Sequence, residues 1–237
     1  MEKGTELGGQ LLIAYLPPWK HDLKPNVVDY LVRQCSTAGV KIELNKEVTP
    51  TIVEKLKPNV VIVATGSSPL VPQVPGINKK NVFNANDILT GKAALLGKKV
   101  VVVGAGLVGA ETAEWLAEKG YDVTLLTRRP ATDIANNMST INRAYLFNKL
   151  FQHRVKIVDN SLLEEIADTG VKVIDNRWKK KTIDCDSVVL AWGFAPNKAL
   201  YESLKGKGSE LYAIGDCVKP RSIGEAIQEG AYIGRQI

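Results

Sequence analysis

The stretch that decides the fold is Val100-Val101-Val102-Val103-Gly104-Ala105-Gly106-Leu107-Val108-Gly109-Ala110-Glu111, continued by Asp122-Val123-Thr124-Leu125-Leu126-Thr127. The unbroken valines predict a buried parallel strand over Lys98–Val103, and the alanine-rich run predicts a helix over Leu107–Lys119. Asp122–Thr127 reads as a second strand, so the segment begins a βαβ unit with short connections. Its glycines fit G-x-G-x-x-G, and each has a mechanical task. Gly104 makes the tight turn, Gly106 lets the backbone approach a diphosphate, and Gly109 permits close packing of helix on strand. The first helical turn, with Ala105, Leu107 and Val108 beside those glycines, offers N–H groups and the positive end of a dipole to that diphosphate. A glycine-rich turn that binds nothing is the alternative for the same residues.

The end of the second strand decides which dinucleotide fits. An Asp or Glu there would hold the ribose 2′-hydroxyl of NAD, and this chain has Thr127-Arg128-Arg129 instead. A threonine hydroxyl and two guanidinium forks suit a 2′-phosphate, so NADP(H) is expected in preference to NAD(H). Two solvated arginines on a loop are the alternative.

Outward from this core, Asn26–Ala38 has helical spacing and stops at Gly39, and Val40–Leu44 reads as a short strand. Asn59–Gly66 is an apolar run closed by glycine, the pattern of a strand buried on both faces in a parallel sheet. Pro69, Pro72 and Pro75 then predict an extended connection without a helix. Beyond Thr127, Ile141–Phe151 reads as a helix, Lys156–Val158 as a strand and Val171–Ile183 as a hairpin. Ser187–Ala191 is an apolar strand closed by Trp192-Gly193. After Pro196 the chain is polar until a short strand at Glu210–Asp216, and Ile223–Ile237 is helical in pattern.

Five motifs stand in order along the chain. They are Glu2-Lys3 with Leu7-Gly8-Gly9-Gln10-Leu11; Val63-Ala64-Thr65-Gly66; the glycine turn through Glu111; Ala191-Trp192-Gly193 with Pro196-Asn197; and Ile214-Gly215-Asp216-Cys217 with Pro220-Arg221 and Glu225-Ala226-Ile227. Together they resemble the two-dinucleotide-binding flavoproteins of the pyridine nucleotide-disulfide oxidoreductase class. The likeness is to the C-terminal half of enzymes related to 2,4-dienoyl-CoA reductase and trimethylamine dehydrogenase, which are NADH:flavin oxidoreductases with an Old Yellow Enzyme-like barrel.

The resemblance implies an α/β fold in which a Rossmann-like NAD(P)-binding domain is inserted in an incomplete FAD-binding domain. The expected divisions are 1–90 and 195–237 for the FAD-like part and 91–194 for the NAD(P)H-binding domain. It also implies hydride transfer from NAD(P)H to FAD, with Glu2 on the FAD ribose, Asp216 on the flavin ribityl chain and Glu111 near the nicotinamide. Ala64, Thr65, Gly66, Gly193 and Gly215 complete the cofactor-binding set. Asp216 read from its position alone would equally serve as a helix cap.

One departure weighs against a complete flavin site. The family places a strand, a glycine turn and a helix before the segment that starts at Glu2, so this chain is expected to be a fragment that lacks FAD and has little activity alone. Its partner would be an upstream FMN/iron-sulfur barrel region, and unpaired sheet edges make a homo-oligomer plausible. A module that senses NADPH and catalyses nothing is the rival reading.

Composition narrows the remaining classes. With 45% hydrophobic and 24% charged residues the chain should fold as a globular protein. No run reaches the roughly 20 apolar residues of a membrane span and no secretory leader opens it, so a cytoplasmic location is expected. Cys35, Cys185 and Cys217 are scattered, which argues against disulfides, metal ligation and disulfide reduction. They are expected to be ordinary buried or half-buried thiols, and His21 and His153 surface or capping residues. The net charge of +6 favours anions in general. The basic run Arg177–Lys181 reads as a solvated turn, and an acidic helix face at Glu111, Glu114 and Glu118 argues against nucleic acid.

Overall fold

A computed structural model describes residues 1–237. In chain order its helices are α1 (Leu11–Ala14), α2 (Asp29–Thr37), α3 (Pro50–Leu56), α4 (Ala85–Leu89), α5 (Leu107–Glu118), α6 (Thr140–Gln152), α7 (Ala199–Leu204) and α8 (Ile223–Ile233). The strands are β1 (Val60–Val63), β2 (Ser67–Pro69), β3 (Val82–Asn84), β4 (Lys99–Val103), β5 (Asp122–Leu126) and β6 (Lys156–Val158). They continue with β7 (Ser161–Ile166), β8 (Gly170–Asp175), β9 (Lys180–Asp184), β10 (Ser187–Leu190), β11 (Phe194–Pro196) and β12 (Glu210–Ala213). No helix is long and apolar enough to cross a membrane.

The chain divides into two units. One comprises residues 13–21 and 69–193, the other residues 1–12, 22–68 and 194–237.

The first unit is built on a five-stranded parallel sheet in the order β3-β10-β4-β5-β6. The alternation of side chains along β4 explains its valines. Val100 and Val102 join the buried cluster under α4, α5 and α6, with Ala110, Ala113, Leu116 and Leu146. Val101 and Val103 face the opposite cluster, with Leu163, Ile166, Val171 and Val173. Those last four residues belong to the antiparallel sheet β7-β8-β9. A strand covered on both faces must be apolar at every position, which is why β4 reads as a continuous run.

The expected hairpin is thus two strands of a three-stranded sheet, and β7 is its unforeseen member. A register shift between Leu163 and Glu165 breaks the alternation that would have marked β7 in the sequence. The basic run falls at the β8–β9 turn, where Trp178 takes a φ of 62° and is exposed. Cys185 is buried and unpaired, as expected.

In the second unit β1 pairs in parallel with β12, and each has that one ladder partner. Val63 is buried with Leu204 and Cys217. Ile62, however, is 40% exposed, so β1 is not buried on both faces as its apolar run suggested. With a single neighbouring strand there is not enough sheet to cover both faces. β2 and β11 form a further two-stranded sheet.

Val40–Leu44 forms no strand; nearby, Glu2 N–H donates to Glu43 O at 2.8 Å and Asn45 N–H to Gly4 O at 2.9 Å. The Asn26–Ala38 helix is present but begins with a π-turn at Lys24–Val28, and Ala38 is its C-cap. Four helices, α1, α3, α4 and α7, escaped the sequence reading. α3 carries a signal that was there to be read, a Thr49 cap followed by Pro50 in the first turn. α7 is a six-residue helix in a polar stretch.

Candidate functional site

The strand order places the glycine turn at a reversal. From β4 the chain proceeds through α5 to β5 and then β6 on one side, while β10 and β3 lie on the other. Ligands of open parallel sheets bind beyond the carboxyl ends of the strands where the order reverses, and Gly104 directly follows β4 there.

Each glycine can be tested by what a Cβ would meet. On Gly104, at φ 102°, it would lie 2.3 Å from Ala191 O. On Gly109 it would lie 1.8 Å from Gly104 O. Both are therefore required by packing. On Gly106 it would meet nothing within 4 Å. Gly106 is also the N-cap of α5, and no side chain caps that helix. Open space in front of an uncapped N-terminus is a cradle that a Cβ would fill, which fits a dinucleotide diphosphate.

The expected residues of this unit gather around that cradle. Ala105, Leu107 and Val108 form the turn and the first turn of α5. The Ala191–Gly193 segment lies beside it, since Ala191 N–H donates to Val103 O at 2.9 Å. Gly193 takes φ 106°, a left-handed value that glycine adopts without strain. Thr127 directly follows β5 and is buried, and its Oγ1 accepts from Arg129 N–H at 3.1 Å. Arg128 and Arg129 are exposed and form no ion pair.

Two participants were missed from sequence. Ala135, buried and at φ 48°, donates its N–H to Ala105 O at 3.0 Å and braces the turn. Lys20 forms an ion pair with Glu111, which is 3% exposed. Burial pushes the Glu111 carboxyl above its usual range, against the pull of the Lys20 ammonium. No local pattern could have announced either contact, because both join segments far apart in the chain.

The acidic face read on α5 needs correction: Glu111 and Glu114 are buried, at 3% and 1%, and only Glu118 is exposed. Their neighbours on α5, Ala110, Ala113 and Ala117, are small, so α6 can pack close enough to cover them. As an argument about charge presented to nucleic acid the face therefore fails. His153 is the C-cap of α6 and His21 is exposed, as expected.

In the other unit, Asp216 is held on three sides. Its Oδ2 accepts from Ser67 Oγ at 3.1 Å and from Gln10 Nε2 at 3.3 Å, and its Oδ1 accepts from Arg221 N–H at 3.0 Å. It is not the cap of α8. That role belongs to Ser222, which forms a reciprocal capping box with Glu225. Ala64, Thr65 and Gly66 follow β1; Thr65 Oγ1 donates to Asn197 O at 2.7 Å, and Asn197 N–H donates to Gly66 O at 3.0 Å. Glu2 Oε1 accepts from Gly4 N–H at 2.6 Å. Added Cβ atoms would meet nothing within 4 Å on Gly9 and nothing nearer than 3.6 Å on Gly215. A polar cluster bordered by open glycine backbone suits the ribose and ribityl hydroxyls of a flavin nucleotide.

A parallel sheet with a glycine turn at its switch point and a second unit built from both chain ends defines a two-part dinucleotide-binding α/β protein. Residues 22–230 match the family model of the pyridine nucleotide-disulphide oxidoreductases, and the chain belongs to that family. It is 36% identical to an NADH oxidase of Thermoanaerobacter brockii over 100% of this chain and 36% of the relative. It is 34% identical to a bilirubin reductase of Mediterraneibacter gnavus over 97% of this chain and 35% of the relative. The solved structure of a 2-naphthoyl-CoA reductase in complex with 2-naphthoyl-CoA superposes with a TM-score of 0.92 at 34% identity. That match covers 100% of this chain and 36% of the solved one. The chain thus spans little more than a third of these relatives' length.

Proposed function

We propose that this chain is the NAD(P)H-binding part of a longer flavin-dependent oxidoreductase in which hydride passes from NAD(P)H to FAD. The observation that carries the reading is the pairing of an uncapped α5 N-terminus with open space at Gly106, where Gly104 and Gly109 are locked by packing.

The bound nicotinamide and flavin supply the redox chemistry. The chain's own residues bind and orient. The N–H groups at the start of α5 hold the diphosphate, and Thr127, Arg128 and Arg129 hold a 2′-phosphate, so NADP(H) is preferred. The Lys20–Glu111 pair keeps a carboxylate fixed in the second turn of α5, beside the nicotinamide. In the other unit Asp216, fixed by Ser67 and Gln10, accepts from the ribityl hydroxyls, and Glu2 binds the ribose. The open sides of β1 and β12 suit strands from the rest of a longer chain. An upstream FMN/iron-sulfur barrel region is the electron acceptor in this reading, and the separate chain retains no FAD and turns over little.

The test is calorimetric titration of the 237-residue chain with NADPH and NADH, after absorbance and mass analysis of the purified protein. Saturable NADPH binding, tighter than NADH and in protein free of flavin, supports the reading. Tighter NADH binding removes the coenzyme assignment, and stoichiometric FAD on the purified chain removes the fragment assignment.

A further inference from the structure

The last turn of α5 carries two carboxylates that its own helix disfavours. Glu114 and Glu118 are four residues apart on one face, near the negative end of the helix dipole, with no basic residue in that turn. Glu114 is 1% exposed, and neither of its carboxylate oxygens has a hydrogen-bond partner. A buried carboxylate without a hydrogen-bond donor is costly, so its partner has to be sought.

No element packed around it closes a hydrogen bond with it. On α6, the Lys149 ammonium attracts the carboxylate from a distance and lies 5.6 Å from the Tyr145 ring centroid. Lys119 Nζ lies 4.6 Å from the Trp115 ring, and Lys20 is paired with Glu111. The buried Trp19 indole N–H lies beside the Glu114 carboxyl and eases its burial, but does not reach hydrogen-bonding geometry. His153, at the end of α6, brings Nε2 to 3.9 Å from Glu114 Oε1, beyond hydrogen-bonding range. Glu118 completes the group: one ligand atom from each of Glu114, Glu118 and His153 lies within 4.8 Å of the others.

We propose that Glu114, Glu118 and His153 form a three-ligand site for a divalent transition-metal ion of the zinc type, with a fourth position for water. Two carboxylate oxygens and one imidazole nitrogen suit such an ion better than Mg²⁺ or Ca²⁺, which take oxygen ligands alone. Neighbouring ligand atoms in a tetrahedral zinc site are about 3.4 Å apart. The exposed Glu118 and half-buried His153 side chains reach that spacing by rotation, while Glu114 stays fixed in the core. The ion neutralises the buried carboxylate and ties the end of α5 to the end of α6. Glu114 lies about 10 Å along α5 from Leu107, so this is a structural or regulatory site apart from the nucleotide cradle.

The experiment uses the 237-residue chain stripped of metal with EDTA and titrated with Zn²⁺ alone by calorimetry, with Mg²⁺ in parallel. Glu118→Gln and His153→Gln are compared with it, both being substitutions near the surface that leave the core intact. The expected result is one saturable Zn²⁺, weakened by about tenfold or more in each variant, and no Mg²⁺ binding. Zn²⁺ should also raise the thermal midpoint of the unsubstituted chain more than that of either variant. Co²⁺ in its place should give visible absorption bands that His153→Gln loses. Equal Zn²⁺ affinity in all three proteins, or no saturable binding, overturns the proposal.

Discussion

A Cβ on Gly109 would stand 1.8 Å from the carbonyl oxygen of Gly104, closer than two heavy atoms not bonded to each other can come. The two glycines therefore fix how near α5 lies to the end of β4, and that closeness puts the helix N-terminus at the edge of the sheet. Gly106 sits between them and is restrained by no such contact.

This contrast separates packing from binding. Gly109→Ala should lower the stability of the unit by roughly 1–3 kcal/mol, the usual cost of overpacking, seen as an earlier urea midpoint. Gly106→Ala should unfold at nearly the same urea concentration as the unsubstituted chain and yet lose NADPH affinity, because its methyl group enters the diphosphate cradle. Unimpaired NADPH titration in Gly106→Ala would count against the cradle.

Arg128 and Arg129 are exposed and unpaired, so replacing them should not disturb the fold. The double change Arg128→Ala/Arg129→Ala should weaken NADPH by about tenfold to a hundredfold, the loss of charge-assisted hydrogen bonds, and leave NADH nearly untouched. Parallel titrations with the two coenzymes measure this, and an equal loss for both would remove the arginines from 2′-phosphate recognition.

The Lys20–Glu111 pair is largely buried, with side-chain exposures of 17% and 4%. Removing one partner leaves the other charge without compensation. Lys20→Met should cost roughly 2–3 kcal/mol by chemical denaturation, somewhat below the range for fully buried pairs because Lys20 keeps some solvent. Adding Glu111→Leu should recover most of that loss. A Lys20→Met protein as stable as its parent would mean that the pair contributes little.

Asp186 accepts the backbone N–H groups of Lys98 and Lys99 at 2.8 Å each. Those donors, Lys99 first and then Lys98, hold its carboxyl below the usual range. A carboxyl with a depressed folded pKa stabilises above its unfolded value of about 3.9, and the gain is lost as pH falls through the folded value. Asp186→Ala should therefore melt lower than its parent at pH 7, and the gap should narrow below about pH 4. A gap independent of pH would show that the ionised carboxylate is not its source.

Much of the nucleotide unit was legible because its signals are local. A strand covered on both faces, a glycine turn and an alanine-rich helix lie side by side in sequence, and β4, α5 and β5 fall within a residue of where the pattern puts them. The same rule misled at β1, whose apolar run suggested burial on both faces. Val40–Leu44 has the composition of a strand, but its neighbourhood is bonded to residues 2–4 without forming a ladder. β7 was hidden by its bulge, and α7 by its shortness.

What the sequence determined by itself is the set of conformations that neighbouring residues impose on one another: periodicity, turns and the glycines that only one backbone shape accepts. Tertiary structure alone decided that Ala135 braces Ala105, that Lys20 meets Glu111, and that Glu114 on α5 points inward beside His153. Those contacts join segments distant along the chain, and their energies depend on burial, which no short window of residues records.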